Sequence, residues 1–217
     1  TLDEIKAIVA ASHDYGFTVA AHAHGAEAIR RAVVGGVDSI EHGTYMDDVD
    51  IKLMKEHGTW YVPTIIAGKY VQEMAEKPGY YPPQVALKAK QVGPLIQATA
   101  GRAYKAGVKI AMGSDAVYTM FGQNTHELDW LVKAGMTPAQ ALASATTVPA
   151  RLLKVDSELG RVATGYLADL VAVDGNPLDN FKVLYGTGVD VFDRDGKPSH
   201  RGGVRWTIKA GIVFDAP

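Results

Sequence analysis

The chain has 217 residues, 47% of them hydrophobic and 21% charged, enough for one sizeable domain or a domain with a small appendage. Its net charge is -2 and no Lys/Arg cluster forms a stripe, which argues against nucleic acid and anionic membrane as partners. Cysteine is absent, so disulfides and thiolate metal sites are excluded, and any metal must sit on histidine, carboxylate or water.

Residues 2–14 carry a helical apolar pattern (Leu2, Ile5, Ile8, Val9) that Gly16 ends. "FTVAAH" (17–22) is a β-prone run. A helix over 25–34 follows, with Ala26, Ile29 and Val33 as its stripe and Gly35-Gly36 as its stop. "VDSIEH" (37–42) is the next strand, and a helix over 48–57 precedes Gly58. "TWYVPTI" (59–65) is the third strand. The segment 66–82, with Gly68, Pro78, Gly79 and Pro82, reads as an irregular excursion. Its tyrosines, Tyr70, Tyr80 and Tyr81, are expected in a loop over a site mouth.

A long helix over 84–106 ends at Gly107, and "VKIAMGSD" (108–115) is the fourth strand. Helices are expected at 125–134 and 138–147; Thr137-Pro138-Ala139-Gln140 is a capping-box pattern with proline at the first helical position. Beyond about 155 the sequence becomes alternating and Gly-punctuated, as in a small β appendage. The four preceding β/α units have the rhythm of a parallel sheet or barrel.

Register suggests where chemistry lies. His22 closes one predicted strand, His42 the next and Asp115 the fourth. Consecutive strand ends in a parallel array share a rim, with strands roughly 5 Å apart. Two imidazoles and a carboxylate converging there suit zinc or a similar divalent ion. Taken singly, each residue also fits an ordinary strand-end loop, and "GSD" fits a turn or helix cap.

The motifs "VAAHAHG", "GGVDSIEHG", "YVPTI", "AGVKIAMGSDA", "HELDWLVKAGMTPAQALASATTVPARLL" and "LGRVATGYLADLVAVDGNPL" resemble the C-terminal half of a metal-dependent amidohydrolase. The resemblance is to the imidazolonepropionase-like and prolidase-like branch. It implies an α/β fold: strands five to eight of a (β/α)8 TIM-type barrel over 1–154, and a β-sandwich segment over 155–217. It implies His22, His42 and Asp115 as ligands of one or two divalent ions, zinc foremost, with Asp115 moving the proton of the attacking water. His24 is taken as a pocket residue and not a ligand. Tyr61, Thr64, Tyr118 and His126 are further candidates for touching substrate, whereas His13, His57 and His200 suit the surface.

The expected activity is hydrolysis of amide or peptide C–N bonds in dipeptides, peptide C-termini or a cyclic amide. The family's first-strand H-x-H and fourth-strand lysine have no counterpart in these residues. The missing N-terminal half of the barrel is therefore an expected partner, and homo-oligomerisation is expected of the half-barrel alone. The alternative is a non-catalytic half-barrel, for binding or oligomerisation, that keeps inherited histidines.

Overall fold

Short β-prone runs separated by amphipathic helices dictate a parallel sheet with helices against it. The computed structural model describes every residue except 117–119, 187, 188, 193, 202, 216 and 217. Strands β1 (Ala20–Ala23), β2 (Ser39–His42) and β3 (Trp60–Val62) run parallel in that order. The fourth strand is shorter than its sequence suggests. Ile110 bridges to Tyr61, with Tyr61 N donating to Lys109 O (2.8 Å) and Ala111 N to Tyr61 O (3.0 Å).

Alternation along the strands separates two faces. Ala23, Ile40, Tyr61 and Ile110 belong to the buried core under the helices. Opposite them, His22 pairs in register with Glu41, and Ala20 with Ser39.

The helices are α1 (Leu2–Asp14), α2 (Ala26–Gly35), α3 (Asp48–His57), α4 (Ile65–Ala75), α5 (Pro83–Ala106), α6 (His126–Lys133), α7 (Pro138–Ser144) and α8 (Thr147–Leu152). Local signals account for most boundaries. Gly58 and Gly107 end α3 and α5 with φ of 70° and 86°, a left-handed turn that glycine makes without a Cβ clash. Thr137 and Gln140 form the expected capping box of α7. The single helix expected over 138–147 is divided, because α7 ends at Ser144 and α8 starts at Thr147.

The excursion expected over 66–82 is largely the helix α4. Gly68, which reads as a breaker, is instead a contact point: a Cβ there would lie 2.5 Å from Ile96 Cδ1 of α5. Ile65, Ile66, Met74 and Ala75 are buried on the same helix. Packing against α5 thus overrides the local preference of glycine. Tyr70 consequently lies within α4, its hydroxyl 3.2 Å from that of Tyr80 in the connection to α5.

The C-terminal segment is β-rich, as expected. β4 (Leu170–Val173), β7 (Val204–Lys209) and β8 (Ile212–Asp215) form one antiparallel sheet, and β5 (Val189–Phe192) pairs with β6 (Pro198–Arg201). A 3-10 turn, Phe181–Leu184, interrupts these strands and buries Phe181 and Val183.

The Gly68 contact generates a direct test. Gly68→Ala should lower the unfolding free energy in urea by up to about 2 kcal/mol, an overpacking cost of about 1–3 kcal/mol less the roughly 1 kcal/mol that alanine gains as a helix former. A glycine serving only as a loop breaker would tolerate the change.

Candidate metal centre

His22 points from β1 to the face away from the helices, and His24, two residues on, follows it by the two-residue period. His42 arrives differently. In register it pairs with Ala23, a core residue, so a regular strand would aim it toward the helices. Its backbone is instead left-handed, with φ of 69°, and its ring lies against the other two histidines. Thr64 after β3 (φ 52°) and Asp115 after the fourth strand (φ 46°) share this conformation. Three of the five described non-glycine residues at positive φ therefore sit at one rim of one sheet. Each costs of order 1–3 kcal/mol and persists only where surrounding contacts enforce it.

The ring centroids of His22 lie 4.8 Å from His24 and 4.5 Å from His42, and His24 stacks on His42 at 4.9 Å. One ring nitrogen from each falls within 4.8 Å of the others. Two threonines set ring orientation: Nδ1 of His24 is 2.7 Å from Thr44 Oγ1, and Nδ1 of His42 is 2.7 Å from Thr64 Oγ1. With Nδ1–H donating to the hydroxyl, the opposite nitrogen keeps its lone pair free.

Burial, reinforced by the neighbouring histidines, holds the pKa of His42 down at about 4, with Asp115 pulling weakly the other way. Burial, then the charges of His22 and Lys88, lowers that of His24 as well. Neutral, convergent imidazoles fit a divalent cation of the zinc type. A cavity of about 230 Å³ opens here, lined by the three histidines, Thr64 and Asp115 on one side and by Val71, Val92 and Ile96 on the other.

The expected residues distribute unevenly. His22 and His42 are neighbours, and His24, set aside as a ligand on sequence grounds, is as close as either. Asp115 lines the same cavity but stands outside the tight trio. Tyr61 does not face the cleft, contrary to expectation. It is fully buried among core residues, and its hydroxyl donates to His42 O at 2.8 Å. Thr64 is buried at the cavity edge and engages His42. His126 is absent from the lining; its ring stacks on Tyr185 at 3.8 Å, and the Tyr185 hydroxyl donates to Asp129. His13 bonds Asp38 Oδ2 at 2.8 Å, away from the cleft. Tyr118 lies outside the described residues, as does the side chain of His200.

Two participants escaped the sequence reading. Thr44 follows directly on "EHG". Glu127 opens α6 and is completely buried; its Oε1 and Oε2 accept from the backbone N–H groups of Ile65 (2.8 Å) and Ile66 (2.7 Å). Burial pushes its carboxyl up to about 8, against the opposing pull of those two hydrogen bonds. A glutamate on the stripe of Leu128 and Leu131 was the available signal.

Because Tyr61 supports His42 from beneath, Tyr61→Phe should destabilise the protein by about 0.5–1.5 kcal/mol in chemical denaturation, the net worth of a partly buried hydrogen bond. An unchanged midpoint would remove this support from the account.

The protein is similar to the ochratoxinase of Aspergillus niger, 34% identical over 185 residues that make up 84% of this chain and 38% of the relative. It is also similar to the imidazolonepropionase of Cutibacterium acnes, 30% identical over 201 residues, or 88% of this chain and 44% of the relative. Among solved structures, a Xaa-Pro dipeptidase with methionine bound in its active site superposes with a TM-score of 0.86 at 43% identity. That match covers 99% of this chain and 49% of the dipeptidase. The chain thus spans half or less of the length of these relatives. The profile of the Amidohydrolase family matches residues 1–197, and with this parallel sheet and its rim of histidines the chain belongs to that family.

Proposed function

We propose that the intact protein is a metal-dependent hydrolase of amide or peptide C–N bonds, acting on dipeptides, peptide C-termini or a cyclic amide. The convergence of His22, His24 and His42 at a sheet rim, with Asp115 lining the same cavity, carries this reading. The dipeptidase and ochratoxinase likenesses support it. Residues 1–154 are assigned to strands five to eight of the barrel and 155–217 to a β-sandwich segment. The first-strand histidines and the fourth-strand lysine would come from the N-terminal half.

His22 and His42 would hold the cation, with Asp115 as a further ligand. When bound, a divalent ion such as zinc polarises a carbonyl and lowers the pKa of water toward about 7. The chain's own residues do the rest. Thr64 fixes the His42 ring. Asp115 takes the proton of the attacking water and returns it to the leaving nitrogen. His24, stacked on His42 and held by Thr44, presents its free nitrogen to substrate.

Among described residues β1 pairs only with β2. Beside it runs a groove of about 570 Å³ lined by Ile5, Ile8, Val19 and Ala21 among others. We assign this open side to the N-terminal half of the barrel. Expressed alone, the chain should self-associate through it in light scattering, and a stable monomer with tight stoichiometric zinc would contradict the assignment.

In the intact protein, Asp115→Asn should reduce turnover by about 10²–10⁴-fold while leaving metal content nearly unchanged, since an amide cannot accept the proton. His22→Ala and His42→Ala should lower bound zinc in elemental analysis, whereas His24→Ala should keep zinc and lose kcat/KM. Undiminished turnover by the Asp115 variant would exclude this mechanism.

A further inference from the structure

The left-handed Thr64 needs a restraint, and the described structure offers one in Glu127. Thr64 occupies the N-cap position of α4, where a threonine hydroxyl ordinarily accepts a hydrogen bond from the helix's own first-turn N–H groups. Here it makes no such bond and engages His42 Nδ1 at 2.7 Å instead. The first two N–H groups of α4, at Ile65 and Ile66, are taken by the two carboxyl oxygens of Glu127, which reaches across from α6. The capping task has moved to a residue 61 and 62 positions away in sequence, releasing the threonine for the histidine.

Burial strengthens the constraint. Glu127 is 0% exposed and Thr64 3%, so water does not substitute for either partner. Thr64 is also β-branched, a poor occupant of left-handed backbone, and would relax toward an extended conformation if the start of α4 were released. Relaxation would carry its hydroxyl away from His42.

We propose that Glu127 is a positioning residue of the metal centre: by capping α4 it holds the Thr64 hydroxyl on His42 Nδ1 and thereby aims that ring. This rests on the reading of His42 as a metal ligand, but the link from Glu127 to the His42 ring stands apart from it.

The test uses the full-length protein with Glu127→Gln, Thr64→Val and the double variant. Zinc affinity is read by chelator competition, thermal midpoint by calorimetry, and His42 imidazole 15N shifts in metal-free protein by NMR. Glutamine places an NH2 group against one of the two backbone donors, so one of the two caps is lost. Glu127→Gln should weaken zinc binding about 10–100-fold, the range for partners that orient a ligand. Thr64→Val should do the same, and the double variant should lose little more than either alone.

The His42 Nδ1 signal should lose its hydrogen-bonded character in all three. Should Glu127→Gln not fold, Glu127→Asp, which retracts the carboxyl group by one methylene, gives the same readouts. A lowered thermal midpoint with wild-type zinc affinity and an unmoved His42 signal would overturn the proposal, as would fully additive losses. If the unaltered protein binds no zinc, the metal assignment fails, and the NMR comparison still decides whether Glu127 sets the His42 ring.

Discussion

The site depends on one backbone turn, the left-handed residue at the end of β2. His42 stands opposite Ala23, and without the turn its imidazole would enter the core beneath the helices. The conformation is unfavourable for any residue with a Cβ, so it must be held by its surroundings. Tyr61 donates to the His42 carbonyl from below, and Thr64 bonds the ring from the next strand end. Gly43 allows the close approach, since a Cβ there would come within 2.7 Å of the Tyr61 ring. The turn, the tyrosine and the glycine form one unit.

That unit explains the electrostatics of the rim. Three imidazoles within ring-contact distance repel one another when protonated, and burial penalises the charged form further. The result is a pair, His24 and His42, held neutral with lone pairs available. The threonines complete the arrangement by occupying one nitrogen of each ring and leaving the other to the cavity. The polar half of the cavity therefore belongs to strand ends, while the apolar half comes from α4 and α5, whose close contact at Gly68 brings Val71, Val92 and Ile96 to the opening.

Sequence reasoning reached the β/α rhythm and most helix ends because those features are local. Thr137, Gly58 and Gly107 act through groups within a few residues of themselves. The same locality put His22 and His24 on one face through the two-residue period. Helix α4 was missed because the value of Gly68 lies in a neighbour, Ile96, that is distant in sequence.

What the sequence by itself determined, then, was the order of elements, the candidate ligands and their placement at consecutive strand ends. Only the tertiary structure decided which face His42 takes, because a one-residue register offset and a left-handed turn oppose each other, and neither is encoded by spacing. It alone assigned Tyr61 to the core side, brought Thr44 and Thr64 onto the imidazoles and turned Glu127 into the cap of a distant helix. Each of these is a hydrogen bond or contact between separate elements, and its partner is fixed by the packing of the sheet against its helices rather than by any run of residues along the chain.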